Sequence, residues 1–217
     1  MKPLAECRLY TFIDSGYLRG RDPAAVAVQL CAGGSDLIQL RAKKSSREEI
    51  LQMARKILPV IRDAGVGLVI NDHRDIAEEI RADLYHVGLE DFEPHAPGTP
   101  FGLSTHSPQD ALLAEKAGPA YIAVGPVYAT PTKPTARAVT LDYVRWATAN
   151  VKIPWFAIGG INLENLNDVI SAGAKRVCVV SAILNAPDIA EACREFQRRV
   201  SQSQAPIPKR TAQDRHI

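Results

Sequence analysis

The stretch VGPVYATPTKPTARAV, residues 124–139, passes from an apolar run directly into a cluster of hydroxyls and cations. Residues 130–137 contain three threonines, two prolines, a lysine and an arginine. Phosphate oxygens accept hydrogen bonds from hydroxyls and backbone N–H groups, and they attract the lysine charge. The cluster therefore predicts a site for a phosphorylated ligand that uses Thr130, Thr132 and Lys133.

Other apolar runs also end in polar residues. Gln39, Arg41 and Lys43 alternate along DLIQLRAKK, so they would share one face of a strand. The carboxylates Asp72 and Asp91 follow two later runs. Hard oxygen ligands without cysteine or clustered histidine favour Mg²⁺, so these residues predict a site for a polyanion with Mg²⁺. The other polar or glycine residues at the ends of apolar runs are Asn71; His86, Gly88 and Glu90; Ser104 and His106; Gly159 and Gly160; and Ser181.

Several of these residues have a simpler explanation when they are taken alone. An Asn-Asp pair after a strand is a frequent helix N-cap. Arg41 could pair with a carboxylate of a neighbouring strand, and His86 could be a hydrogen-bonded core histidine. The set as a whole favours two phosphate sites around one opening, the second formed by the threonine and lysine cluster with Gly160 and Ser181.

The elements that would position these residues alternate regularly. Segments with helical spacing lie between most of eight short apolar runs, which predicts a parallel sheet. Eight strands close a TIM barrel, and catalytic residues lie at the C-terminal ends of its strands. A doubly wound open sheet is the alternative, but no GxGxxG follows the first strand. The predicted strands are CRLYTFI, DLIQLR, GLVIN, LYHVG, FGLST, YIAVGPVY, WFAIGGI and RVCVVSAI.

One predicted helix carries a clear start signal. Residues 46–64 place apolar side chains on one stripe, with Ser46 as N-cap and Glu49 three residues later. The tail SQSQAPIPKRTAQDRHI is polar and contains two prolines, so we expect a barrel domain over 1–200 and a flexible, disordered tail over 201–217. Further helices are predicted at 73–81, 107–117, 141–149, 163–172 and 187–200.

Composition narrows the class of protein. The 217 residues are 46% hydrophobic and 23% charged, with a formal net charge of +2, which predicts a single globular domain and neither nucleic-acid nor membrane binding. The four cysteines form no CxxC pair; Cys31 and Cys178 lie in apolar segments and are predicted to be buried thiols. The stretch MKPLAECRLYTFID lacks the apolar h-region of a signal peptide, and no apolar run is long enough to span a bilayer, so neither feature is predicted. These features predict a soluble cytoplasmic protein, and they leave its oligomeric state open, a homo-oligomer included.

Taken together, the motifs resemble the thiamine-phosphate synthase family and its relative, the thiazole tautomerase TenI. The matching stretches lie between Tyr10 and Ala192 and are IQLRAKK, VINDHRDIA, YHVGLEDF, FGLSTHS, GPVYATPTK, PWFAIGGI and VVSAI. The resemblance implies a transferase of thiamine biosynthesis that joins an aminopyrimidine methyl pyrophosphate to a thiazole phosphate, or its carboxylated form, giving thiamine phosphate and pyrophosphate.

The resemblance also implies a role for each matching residue. Asp72 and Asp91 would bind Mg²⁺, and Ser104 would contact the pyrimidine. Lys133 would bind the pyrophosphate, and with Arg41, Lys43 and Ser104 it makes up the implied catalytic set. The residues implied for the pyrimidine pyrophosphate are Gln39, Arg41, Lys43 and Asn71; those implied for the thiazole phosphate are Thr130, Thr132, Gly160, Val180 and Ser181.

The chain departs from the family pattern in places, and two other functions stay open. Ala42 stands where the family usually has Glu, and Leu89 where it usually has Gln. One alternative is a TenI-like aromatisation of the thiazole with His106 as acid and base. The other is a non-catalytic regulator that binds phosphorylated ligands on a decayed barrel. The retained carboxylates and TPTK loop favour the synthase.

Overall fold

The strands close into a barrel. The computed structural model describes residues 1–94, 98–130, 132 and 137–202. Each strand pairs in parallel with the next one in sequence, and the last pairs with the first. This closure confirms the predicted TIM barrel over the open sheet. The strands are β1 (Leu9–Asp14), β2 (Leu37–Arg41), β3 (Gly67–Asn71), β4 (Leu84–Gly88), β5 (Phe101–Thr105), β6 (Tyr121–Val124), β7 (Trp155–Ile158) and β8 (Val177–Cys178).

Helices lie between the strands in sequence and follow the alternation that the apolar runs predict. Short 3₁₀ turns cover Leu4–Glu6 before β1 and Leu89–Asp91 after β4. The α-helices are α1 (Ser15–Leu18), α2 (Pro23–Ala32), α3 (Arg47–Asp63), α4 (Arg74–Ile80), α5 (Pro108–Ala117), α6 (Thr140–Asn150), α7 (Leu166–Ser171), α8 (Ser181–Leu184) and α9 (Ile189–Gln202).

Aromatic side chains fill part of the barrel interior. The rings of Tyr10 and Tyr121 pack edge to face with centroids 5.8 Å apart, and both contact Phe156 in the same way. Gly102 leaves room for this cluster, since a Cβ there would lie 2.6 Å from the Tyr121 hydroxyl oxygen. The interior is therefore packed beneath the C-terminal ends of the strands, and the cavity described below opens above it.

The helix predicted over 46–64 is confirmed as α3, with the predicted start. Ser46 Oγ accepts a hydrogen bond from Glu49 N at 3.3 Å, and Ser46 N donates to Glu49 Oε2 at 2.7 Å. This reciprocal capping box satisfies two N–H groups that the helix itself leaves without acceptors. The stripe is also confirmed, with Ile50, Leu51, Ala54, Ile57 and Ile61 buried and Leu58 partly buried.

We expect Ser46→Ala to lower the free energy of unfolding by about 1 kcal/mol, because it removes this N-cap. Urea unfolding of the two proteins measures the difference. Ser45→Ala is the matched control, since the Ser45 side chain makes no hydrogen bond within the described residues. Turnover should be unaffected by either change. Equal losses in the two variants would contradict the role of the cap.

The sequence patterns missed helix α2. Its residues PAAVAVQLCA are apolar almost throughout, so no polar face marks the helical period. The helix packs against α3 and α9, yet Val28 is 53% exposed. Helix α9 continues to Gln202, two residues past the predicted end of the barrel domain at 200. Residues 203–217 lie outside the described part.

Three strands end well before the apolar runs that predicted them, and these are β6, β7 and β8. Strand β6 ends at Val124, because Pro126 follows and has no N–H to donate to the sheet. Strand β8 ends at Cys178, and Ser181 begins helix α8. The helix predicted over 163–172 begins at Leu166, because Asn162 Oδ1 holds the preceding residues in a turn by accepting from Glu164 N.

The cysteines are free thiols. Burial raises the pKa of Cys7 and Cys31 to about 11 and that of Cys193 to about 12, and it also raises the pKa of Cys178. Cys178 is buried as predicted, whereas Cys31 is only partly buried. In the described part of the chain, no helix is long and apolar enough to cross a bilayer.

Candidate active site

A cavity of about 160 Å³ opens at the C-terminal ends of the strands. Lys133 lies outside the described residues; every other residue predicted for the site lines this cavity. The barrel therefore brings the predicted residues together from strands that lie far apart in the chain. The predicted residues in the lining are Gln39, Arg41, Lys43, Asn71, Asp72, Asp91, Ser104, Thr130, Thr132, Gly160, Val180 and Ser181.

Arg41 forms an ion pair that the sequence raised only as an alternative. Its Nη1 lies 2.6 Å from Asp14 Oδ2, and the two residues face each other in the β1–β2 register. The Asp14 side chain is 4% exposed, and its Oδ1 also accepts from Gly16 N at the start of α1. Asp14 thus fixes Arg41 at the edge of the cavity. Asp14 was not predicted, although it too is a polar residue at the C-terminal end of a strand.

Lys43 and Asp72 meet at the rim of the cavity. Lys43 Nζ lies 3.3 Å from Asp72 Oδ2, and both side chains are well exposed. Lys43 was predicted to alternate along strand two, but β2 ends at Arg41 and Lys43 lies two residues beyond it. Asp72 is not the N-cap of α4, because that position belongs to His73. The capping explanation is therefore wrong for Asp72.

The backbone of Asp72 is unusual. Its φ is +64°, a left-handed conformation that side chains other than glycine, asparagine and aspartate seldom adopt. Its N–H donates to the His86 carbonyl at 2.8 Å, which fixes the residue against the end of β4. Such conformations concentrate at functional sites, where the surrounding structure holds them.

Asp91 reaches the cavity from the 3₁₀ turn that follows β4, and Glu90 of the same turn lines it as well. Among the described residues, no three or more His, Cys, Asp or Glu side chains form a metal cluster. Two carboxylates still fit Mg²⁺, which usually keeps several waters and takes one or two protein carboxylates together with substrate phosphates. A complete protein cage is not needed for such an ion.

The floor of the cavity is polar and is built from amide and imidazole side chains. Gln39, Asn71 and His86 are buried there, each less than 10% exposed. His86 is the hydrogen-bonded core histidine that the sequence offered as an alternative, since its Nδ1 lies 2.9 Å from Tyr121 Oη and its Nε2 lies 2.9 Å from Ser104 Oγ. Charged groups lie at the rim and neutral ones at the floor, so the cavity fits a neutral ring with an anionic substituent.

The other side of the mouth carries hydroxyls and glycines. Thr132 N donates to Thr130 Oγ1 at 3.3 Å, and Thr132 Oγ1 lies 3.0 Å from the hydroxyl of Tyr17 in α1. Gly159 and Gly160 have φ values of +101° and +65°. A Cβ on Gly160 would lie 2.6 Å from the Ala129 carbonyl oxygen, so only glycine lets this loop pack here. Tyr17 was not predicted, and no motif marks it.

His106 also lines the cavity. Its Nδ1 is hydrogen-bonded to the carbonyl oxygen of Gly125, and its backbone N–H donates to Asp110 Oδ2 at 2.8 Å. Because a carbonyl oxygen only accepts, Nδ1 carries the proton and donates it. This hydrogen bond fixes the orientation of the ring at the cavity.

A closed parallel barrel with residues of this kind at its C-terminal mouth defines a TIM-barrel protein. Its cations, hydroxyls and paired glycines are the groups that suit a phosphorylated ligand. The chain belongs to the thiamine monophosphate synthase family, whose sequence model matches residues 9–183. This match confirms the family that the motifs predicted.

Individual relatives agree with this assignment. The thiamine-phosphate synthase of Acidothermus cellulolyticus is 43% identical over 207 residues, which cover 91% of this chain and 97% of the relative. A thiamine-phosphate synthase of Thermus thermophilus is 44% identical over 174 residues, or 78% of this chain and 84% of the relative. The solved structure of thiamine phosphate pyrophosphorylase from Pyrococcus furiosus is 28% identical with a TM-score of 0.85, covering 94% of this chain and all of that one.

Proposed function

We propose that this chain catalyses the formation of thiamine phosphate from an aminopyrimidine methyl pyrophosphate and a thiazole phosphate, or its carboxylated form. The observation that supports the proposal most strongly is one cavity with two anion-binding sides. Arg41, Lys43 and the carboxylates lie on one side, and the threonines with Gly160 lie on the other. Family membership and the named relatives point to the same reaction.

The proposed roles follow the position of each residue. The neutral floor would take the pyrimidine ring, with Ser104 in contact with it. The rim cations Arg41 and Lys43 would bind the pyrophosphate together with Asn71. Lys133, which is not among the described residues, would bind the pyrophosphate as well. The thiazole phosphate would be held by Thr130, Thr132, Gly160 and the backbone of Val180 and Ser181.

The chemistry requires no general base. The C–O bond to the pyrophosphate breaks, its electron pair leaves with the pyrophosphate, and the ring amino group stabilises the carbocation that remains. The lone pair of the thiazole nitrogen then forms the new C–N bond. When the thiazole is the carboxylated form, its carboxyl group also leaves as carbon dioxide. The protein has to orient the two substrates, exclude water and stabilise the negative charge on the leaving group.

Mg²⁺ is part of the proposal. Asp72 and Asp91 would hold the ion at the rim, where the pyrophosphate would lie. A bound Mg²⁺ supplies positive charge that offsets the charge of the leaving pyrophosphate. The Lys43–Asp72 ion pair shows that this carboxylate already faces a cation.

The alternatives are less well supported. A thiazole tautomerase could use the His106 ring, but it has no need for a pyrophosphate site, whereas this cavity carries Lys43, Asp72 and Asp91. A non-catalytic regulator would have no reason to keep these carboxylates together with Arg41. The cytoplasmic location stays a prediction, and so does a homo-oligomeric assembly.

One assay tests the function directly. Purified protein is mixed with both substrates, with and without Mg²⁺, and thiamine phosphate and pyrophosphate are quantified. We expect equimolar formation of the two products only when Mg²⁺ is present. Release of pyrophosphate without thiamine phosphate, or conversion of the thiazole alone, would contradict the proposal. Product formation that is unchanged by a chelator would remove only the role of Mg²⁺.

A further inference from the structure

A continuous chain of hydrogen bonds crosses the interior of the barrel beneath the cavity. Gln39 Nε2 donates to Tyr10 Oη at 2.5 Å, and Tyr10 Oη lies 2.9 Å from Tyr121 Oη. Tyr121 Oη lies 2.9 Å from His86 Nδ1, and His86 Nε2 lies 2.9 Å from Ser104 Oγ. The chain thus connects β2 to β5 through side chains of β1, β6 and β4.

The direction of this chain follows from counting protons. A phenol has one hydrogen to donate, and a neutral imidazole has one N–H and one acceptor nitrogen. Because Gln39 donates to Tyr10, the Tyr10 hydrogen points to Tyr121 and the Tyr121 hydrogen points to His86 Nδ1. His86 then carries its proton on Nε2 and donates it to Ser104.

The two phenols keep their protons at any working pH. Tyr10 and Tyr121 are buried, and this burial raises the pKa of both well above the ordinary value of a tyrosine. Ionisation of a tyrosine therefore cannot change the direction of these hydrogen bonds. Fully satisfied buried networks of this kind strengthen each member and favour one arrangement.

Both ends of the chain face the cavity. Gln39 and Ser104 line it, and within the described residues nothing donates to Gln39 Oε1. The Ser104 oxygen accepts from His86, so its own hydrogen is available to the cavity. The floor thus presents an acceptor at Gln39 and a donor at Ser104, while the charged groups are confined to the rim.

We infer that Tyr10, Tyr121 and His86 are positioning residues that make this floor select a ring edge with a donor beside an acceptor. An aminopyrimidine has such an edge, because its amino group donates and the adjacent ring nitrogen accepts. Gln39 Oε1 would accept from the amino group, and Ser104 would donate to the nitrogen. The inference rests on the proposed function and adds to it a way in which the site distinguishes an aminopyrimidine from a similar ring.

The counterpart with a ring carbonyl in place of the amino group presents the opposite pattern. Its oxygen accepts and its ring N–H donates. Binding its oxygen at Gln39 would require Gln39 to turn its amide over, which takes the N–H donor away from Tyr10 Oη and sets Gln39 Oε1 against that oxygen. The hydrogen bonds from Gln39 to His86 could then all be kept only if the hydroxyl hydrogens of Tyr10 and Tyr121 and the His86 proton changed sides. A reversal of only some of these hydrogen bonds would leave a buried donor or acceptor without a partner, which costs free energy. The intact chain should therefore favour the amino form strongly.

Binding of two unreactive ligands tests this inference. The aminopyrimidine monophosphate and its carbonyl counterpart are titrated calorimetrically into wild type and Tyr121→Phe in the presence of Mg²⁺. The substitution keeps the ring and removes the central link, so we expect the preference for the amino form to fall on the order of tenfold. Tyr143→Phe is the matched control, because its buried hydroxyl donates to Thr105 Oγ1 at 2.7 Å outside this chain.

The outcomes separate the inference from the function. If Tyr121 had only a structural role, the substitution would weaken the binding of both ligands by the same factor. A preference for the amino form that is unchanged from wild type would therefore overturn the inference and leave the proposed function standing. If wild type binds neither pyrimidine, the proposed function fails and the inference fails with it. Should Tyr121→Phe not fold, Tyr10→Phe breaks the chain one link earlier and should reduce the preference in the same way.

Discussion

The Asp72→Asn variant should lose turnover on the order of a thousandfold while it keeps its fold. In the proposed reaction Asp72 would hold Mg²⁺ beside the leaving group, where negative charge develops, and the substitution removes that carboxylate. Asparagine tolerates the left-handed backbone of this position, where φ is +64°. The Lys43–Asp72 pair is well exposed, so its loss should change stability little. Steady-state kinetics over a range of Mg²⁺ concentrations and urea unfolding measure the two effects.

A neighbouring carboxylate provides the control. Asp75 lies three residues further along, on α4, where it pairs with Arg47 at the surface and does not line the cavity. Asp75→Asn removes the same charge from the protein and should leave turnover close to that of wild type. Full activity of Asp72→Asn would rule out the metal assignment. Equal losses in both variants would indicate a general effect of net charge instead.

The barrel could be predicted from the sequence because its signal repeats. Eight apolar runs alternate with helical stripes, and only a parallel sheet accommodates that order. Helix α3 shows the local part of the signal, since Ser46 and Glu49 mark its start and no distant contact is needed to see it. Helix α2 shows the limit. It packs against α3 and α9, yet its exposed side carries the apolar residues Ala25, Val28 and Ala32, so no polar face marks the helical period in the sequence.

The predicted site residues share one property, which is that each lies near the C-terminal end of a strand or in the segment that follows it. Strand ends meet at one mouth, so a rule about position was enough to collect them. The Arg41–Asp14 pair could not be derived in this way, because it depends on the β1–β2 register. The link between Tyr10 and Tyr121 joins residues separated by 111 positions. Both tyrosines lie within apolar runs, where they look like ordinary core residues.

We expect Arg41→Gln to lower kcat on the order of a hundredfold. Negative charge grows on the pyrophosphate as the C–O bond breaks, and Arg41 would stabilise it more in the transition state than in the bound substrate. Thr130→Val removes a hydroxyl that would bind a phosphate whose charge does not change, so it should raise the KM for the thiazole and leave kcat nearly unaltered. Initial rates with one substrate saturating and the other varied separate the two effects.

A second variant distinguishes catalysis from folding at this position. Arg41→Gln leaves the Asp14 carboxylate without its partner, and that side chain is only 4% exposed, so the single variant should also lose about 3 kcal/mol of stability. Adding Asp14→Asn removes the buried charge and keeps an oxygen for Gly16 N, which should recover most of that stability. Turnover should stay low in the double variant, because the cation at the rim is still missing. A double variant that regains wild-type kcat would show that Arg41 serves the fold through Asp14 and does not act on the leaving group.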